Sequence, residues 1–130
     1  TIKLYYYNVQ KDKDASGTVL CSSQGLVSVE RQIPVSQTPI QDAIRLLLQG
    51  QVTSIEVTKG ISTEYPLEGV TLKGANLKDG NLVLEFSDPQ NKTGGGSCRV
   101  GILWKQIEAT AKQFPEVMNV NFIPEELFQP

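Results

Sequence analysis

The sequence predicts an α+β domain: a single mixed β-sheet with two helices packed on one face, in the order β-β-α-β-β-α-β. Three observations lead there. Two stretches, near 39–49 and over 98–114, space their apolar residues at helical intervals and carry helix-end signals. Five others, 2–9, 26–33, 70–78, 81–87 and 117–123, are rich in β-branched and aromatic residues or alternate apolar with polar. Between the third and fourth of these sits Asp79-Gly80, a strong hairpin dipeptide. At 130 residues, 39% hydrophobic and 20% charged, the chain reads as one domain over 1–130 with one core.

Taken in order, IKLYYYNV opens with Ile2, Leu4 and Tyr6 on one face and Lys3, Tyr5 and Tyr7 on the other. The charged, glycine-punctuated stretch over 10–25 is an excursion. LVSVERQI follows as a second strand, stopped by Pro34. Thr38 is placed to cap the first helix, Pro39 suits its first position, and Asp42 complements its positive end. Ile40, Ala43, Ile44, Leu47 and Leu48 form its core stripe, and Gly50 ends it. Residues 51–60 lack clear alternation and are expected to be irregular or a short helix. In the hairpin, Leu82, Leu84 and Phe86 share the inward face. The loop over 88–97, with one proline and three glycines, is expected to be mobile, and Ser97 to cap the second helix. That helix buries Val100, Leu103, Trp104, Ile107, Ala111 and Phe114, with Trp104 expected to be largely enclosed. Phe114-Pro115 ends it, before the final strand.

Composition narrows the function. There is no histidine, which removes Ser-His-Asp and Cys-His catalysis, His-ligated zinc and the commonest general base near neutral pH. Twelve basic against fourteen acidic residues leave a net charge of -2, against the basic face that nucleic acid demands. No apolar run approaches the roughly 20 residues that span a bilayer. The chain starts at Thr1 with no signal peptide of its own, as expected of a trimmed ectodomain.

Cys21 and Cys98 admit three readings: two free buried thiols, one reactive thiol, or one long-range disulfide. Both lie in polar, turn-like surroundings (LCSS and GSCR) outside any apolar run, which favours the disulfide and an oxidising, extracytoplasmic compartment. Cys98 beside Arg99 at a helix start is also where a thiolate would be stabilised, but no histidine is present to act as its base.

Other motifs carry less. Asp12, Asp14, Ser16 and Gly17 have the spacing that opens an EF-hand loop, yet its twelfth position is Ser23 where a bidentate Glu is required, so a polar turn is expected. The Thr93–Ser97 glycine run lacks the GK[ST] ending of a phosphate-binding loop. The sequon Asn91-Lys92-Thr93 matters only in a host that glycosylates, and Glu64/Glu68 and Glu125-Glu126 read as solvated surface. Tyr5, Tyr7 and Tyr65 are candidate surface aromatics for a partner or a glycan. No catalytic, metal or cofactor residues are expected.

The segments in order resemble the GerMN domain of sporulation and spore-germination proteins. KLYYYN matches its opening strand. LVSVERQIPVSQTPIQDAIRLLLQG follows its strand, R-x-I-P and A-L-x-x-L-L-x-G helix. LKDGNLVLEFS resembles its hairpin, and GGGSCRVGILWKQIEATAKQFPEVMNVNF its last helix and strand. The likeness covers residues 2–124; the 51–66 segment departs, lacking the usual Gly-Pro after the first helix, and the cysteine pair belongs to only part of the family. It implies a non-catalytic module in the bacterial cell envelope, outside the cytoplasmic membrane and anchored by parts of the protein beyond this chain. The partners it implies are other envelope proteins or further copies, with no cofactor. A glycan- or peptidoglycan-binding module is the alternative, and an enzyme using Cys98 a weaker one.

Overall fold

The computed structural model describes residues 1–129. Its strands are β1 (Ile2–Tyr7), β2 (Leu26–Arg31), β3 (Thr71–Lys78), β4 (Asn81–Ser87) and β5 (Asn119–Ile123). Its helices are α1 (Pro39–Leu48), α2 (Ser54–Thr58) and α3 (Ser97–Lys112), with 3-10 turns at Val9–Lys11 and Ser23–Gly25. The α+β class and the element order are as expected, with α2 added where a short helix had been an option.

The single sheet is not observed. β1 and β2 form an antiparallel pair, while β3, β4 and β5 form a separate sheet in that order, β3–β4 antiparallel and β4–β5 parallel. The reason lies on the second edge of β1. Tyr7 exchanges main-chain hydrogen bonds with Ser62 there, and α3 closes the remainder with side chains. Tyr5 N donates to Thr110 Oγ1 (3.1 Å), Lys3 N donates to Gln113 Oε1 (2.9 Å), and Gln113 Nε2 donates to Lys3 O (2.6 Å). With the outward donors of Lys3, Tyr5 and Tyr7 all taken, β1 has no complete ladder left to offer the second sheet. α1 and α3 pack on one another and bridge the gap: α1 touches β1 and β3, and α3 touches β1 and β5.

The core follows the two periodicities. Leu4 and Tyr6 of β1, Ala43, Ile44 and Leu47 of α1, Leu82, Leu84 and Phe86 of β4, and Val100, Leu103, Ile107 and Ala111 of α3 are all buried. Trp104 is only partly buried, correcting the expectation. The buried stripe of α3 centres on Leu103 and Ile107, which leaves residue 104 on its margin and turns Gln106 and Thr110 inward. Both polar groups are bonded: Thr110 Oγ1 donates to Gln106 O (2.8 Å), and Thr63 Oγ1 donates to Gln106 Oε1 (2.9 Å).

The ends of the elements are mostly the signalled ones. Asp79 (φ 53°) and Gly80 (φ 83°) both take the left-handed conformation of a type I′ turn between β3 and β4. Gly50 has φ +64°, and a Cβ on it would lie 1.9 Å from the carbonyl oxygen of Tyr65, so only glycine fits. Thr38 is the N-cap of α1 but makes no side-chain bond to the helix backbone; its hydroxyl donates to Asp42 Oδ1 instead (3.2 Å). Ser97 is the first residue of α3 rather than its cap, which is Gly96. α2 starts in a capping box, Thr53 Oγ1 accepting from Glu56 N (3.2 Å) and Glu56 Oε1 from Thr53 N (3.0 Å).

Candidate functional site

Cys21 and Cys98 are disulfide-bonded, with Cα atoms 5.2 Å apart across 77 residues of sequence. The bond fastens the 10–25 excursion to the start of α3. It also removes the thiol that a Cys98 nucleophile would need, since no cysteine is free.

Beside the disulfide lies a buried polar knot centred on Asp12. Its carboxylate accepts from Tyr7 Oη (2.5 Å), Ser22 N (2.8 Å) and Ser22 Oγ (2.5 Å). Burial alone would raise the Asp12 pKa, but these hydrogen bonds, helped by the charge of Lys105, hold it below the ordinary carboxylate value. The same burial, reinforced by the anion of Asp12, pushes the Tyr7 phenol upward. Lys105 Nζ donates to Cys21 O (3.2 Å), tying α3 to the knot a second time. Asp14 faces elsewhere, accepting from Ser16 N, Ser16 Oγ and Thr18 N at 2.7–3.0 Å in its own turn. The calcium-loop spacing therefore resolves into two unrelated jobs.

The glycine loop, expected to be mobile, is held at both ends. Asp88 accepts from Lys92 N (2.8 Å), Thr93 N (2.9 Å) and Thr93 Oγ1 (2.7 Å). Arg99 donates to Gly94 O (2.5 Å) and Lys92 O (2.9 Å) while pairing with Glu64 (2.8 Å). A cation already gathers the loop's carbonyls.

Of the three candidate surface tyrosines, two are core residues, and the expectation is corrected. Tyr65 is buried with its hydroxyl donating to Leu103 O (2.8 Å), and burial drives its pKa well up. Tyr7 is buried against Gly25, where a Cβ would come within 2.4 Å of its ring. Tyr5 alone is partly exposed. The ion pair between β2 and α2 went unread in the sequence. Arg31 grips Glu56 through both guanidinium nitrogens (2.7 and 2.8 Å) and also donates to Gln51 O (3.1 Å), joining β2 to α2. The hydrogen bonds from Arg31, outweighing burial, bring the Glu56 carboxyl down to about 2. The signal available was the T-x-x-E spacing of Thr53 and Glu56.

A concave surface runs between α3 and β5. A groove of about 610 Å³ has Val100, Gly101 and Trp104 on the helix side and Val120 and Phe122 on the strand side. Lys105 sits 5.6 Å from the Trp104 ring centre. Leu127, Phe128 and Gln129 of the tail also line the groove, and Phe128 packs against Phe122 (4.7 Å) and Phe86 (6.0 Å) between ring centres. Among the described residues, no group of three or more acidic or cysteine side chains converges as a metal site, and no helix is long and apolar enough to cross a membrane. What the surface offers is shape, apolar area and strand edges.

Comparison with known proteins bears on the fold and the family. No curated protein matches the chain significantly. The chain is similar to the solved structure of the tandem GerMN domains of the sporulation protein GerM from Bacillus subtilis, at 20% identity and a TM-score of 0.59. That match covers 98% of this chain and spans 40% of the tandem one. Its likeness to the first GerMN domain of the same protein is 18% identity and a TM-score of 0.58, covering 98% of this chain and 86% of that one. At such identities the likeness establishes the fold. A family model described as "Germane: Sporulation and spore germination" matches residues 3–125, and the chain belongs to that family.

Proposed function

We propose that this chain is a non-catalytic, extracytoplasmic interaction and assembly module of the bacterial cell envelope. The observation that carries the reading is the Cys21–Cys98 bond, which fastens the excursion over 10–25 to the longest helix. A long-range structural disulfide of this kind belongs to an oxidising compartment, and the family is one of sporulation and germination proteins. The absence of histidine supports the non-catalytic part, as does the consumption of Asp12, Asp88, Glu56 and Arg99 in structural bonds. Its partners are other envelope proteins, met through surface shape. Membrane attachment comes from parts of the protein outside these residues. The glycan-binding alternative loses Tyr7 and Tyr65 to the core.

The test is thiol labelling in host cells that make the full protein. Both cysteines should resist a membrane-permeant alkylating reagent until a reductant is added, and then accept a membrane-impermeant maleimide in intact cells. Labelling of both without reductant would place the chain in a reducing compartment and overturn the reading.

A further inference from the structure

We propose that the outer edge of β5 receives an extended segment of a partner protein as a fourth strand of the β3–β4–β5 sheet. The segment is uncharged and alternately apolar where it pairs, and basic at both ends. The proposal rests on the interaction-module reading and names its surface.

The sheet edges of this molecule are treated unequally. The second edge of β1 is closed by Ser62, Thr110 and Gln113. The free edge of β3 is broken by a register shift between Leu72 and Gly74, carries Lys73 and Lys78, and has Leu72 O approached by Arg45 (3.4 Å). On β2, the residues facing away from β1 include Glu30, a charge on the edge, and Glu30 O is taken by Arg31 Nη1 (2.9 Å). These are the devices that keep an edge from pairing with another chain. β5 has none of them. Its register with β4 is unbroken from Asn119 to Ile123, and within it there is neither a charge nor a proline.

Its unpaired groups can be located. Asn119 N donates to Gly80 O (3.0 Å), so the main chain of Asn119, Asn121 and Ile123 addresses β4. The alternate residues, Val120 and Phe122, turn their N–H and C=O outward, and among the described residues no hydrogen bond from outside the sheet reaches them.

Space for the side chains of an added strand exists on both faces. On the helix side α3 overhangs the strand, and the groove of about 610 Å³ between Trp104 and Phe122 lies where inward-facing side chains would go. On the other face a hollow of about 470 Å³ is lined by Val83, Asn121, Ile123 and Glu125, and Leu127 and Gln129 of the tail border this hollow and the groove alike, leaving the Asn119–Asn121 half of the edge the more open. Main-chain pairing along an edge, with hollows for alternate side chains, is the geometry of strand addition.

Charge selects the occupant. Asp79 and Glu116 lie near the start of β5, and Glu125 and Glu126 follow its end; all four are exposed, and none is in an ion pair among the described residues. A segment with Lys or Arg at both ends meets them. A second copy of β5 does not: antiparallel pairing about Asn121 sets Glu116 of each copy against Glu126 of the other, and like charges repel.

The test is a titration of isotope-labelled protein with a synthetic peptide, five residues alternating Val and Thr between Lys-Lys ends, followed by amide NMR. The Val120 and Phe122 amides should shift downfield and become protected from exchange. Val120→Pro, which removes an outward N–H, and Ile123→Lys, which charges the edge, should each weaken binding at least about tenfold. A peptide with Glu-Glu ends should bind about tenfold more weakly. Ile123 is 48% exposed, so its variant keeps the test valid even where the proline variant fails to fold. Binding that leaves both amides unmoved, binding indifferent to Ile123→Lys, or no binding at about 1 mM peptide overturns the proposal. None of these outcomes touches the compartment reading, which thiol labelling decides separately.

Discussion

The side-chain amide of Gln113 faces the main chain of Lys3 as a neighbouring strand would, accepting from its N–H at 2.9 Å and donating to its C=O at 2.6 Å. One turn earlier, inside α3, whose C-terminus Gln113 caps, Thr110 does half as much for Tyr5. Together they finish the edge of β1 without a strand, and so divide the sheet.

Removing these groups should therefore cost stability out of proportion to the atoms lost. Thr110 is fully buried, and Thr110→Val strands the Tyr5 N–H, at about 1–3 kcal/mol. Gln113→Ala, at a site water can reach, should cost about 0.5–1.5 kcal/mol. Urea unfolding of the two variants measures both, and equal costs would show that burial is not what separates them.

Acid should unfold the protein partly through Glu56. Its folded-state pKa is depressed, from 4.5 to about 2, chiefly by the hydrogen bonds from Arg31. The unfolded chain thus takes up this proton first as pH falls. The stabilisation is complete above the unfolded value and is lost on the way down to the folded one. Stability of the wild type should drop between about pH 5 and pH 2 more steeply than that of Glu56→Gln, which lacks the group. Parallel acid limbs in chemical denaturation would contradict this.

Reduction should destabilise strongly. Closing a loop of 77 residues restricts the unfolded chain by about 4–5 kcal/mol on the chain-entropy model. A Cys21→Ser, Cys98→Ser double variant should match the reduced wild type, as compared by thermal melts with and without reductant. A variant much less stable than the reduced protein would point to packing by the sulfur atoms themselves.

Two adjacent positions on α3 should respond very differently. Leu103 is fully buried and Leu103→Ala should cost about 2–5 kcal/mol. Trp104 is only partly covered, at the margin of the groove, and Trp104→Ala should cost about 1–2 kcal/mol despite the larger side chain. Equilibrium unfolding distinguishes them, and a larger cost at Trp104 would mean the helix is turned otherwise.

Much of this was legible beforehand. The Asp79-Gly80 turn, the Pro39 start of α1 and the apolar stripe of α1 follow from local chemistry that the sequence states directly, and the pairing of Cys21 with Cys98 was the favoured of three readings. The division of the sheet does not, because it depends on two polar helix residues, Thr110 and Gln113, whose partners lie more than a hundred residues away. Trp104 misled for a related reason. Hydrophobicity suggested that it belongs inside, whereas hydrogen bonding let Gln106 and Thr110 occupy the interior beside Leu103 and Ile107. The tyrosines were misplaced because alternation sends Tyr7 to the face opposite Tyr6, and only the loop returning through Gly25 covers it there. The β5 groove carries no motif at all, since it is a gap between α3 and a strand edge.

The covalent link between Cys21 and Cys98 also changes what a protease can do to this molecule. A single backbone cut anywhere in residues 22–97, which hold α1, α2, β2, β3 and β4, leaves two fragments that stay joined through sulfur. Such a nicked molecule keeps its full mass on a non-reducing gel and separates into two pieces only when a thiol is added. In a protease-rich setting, the broken domain remains one body.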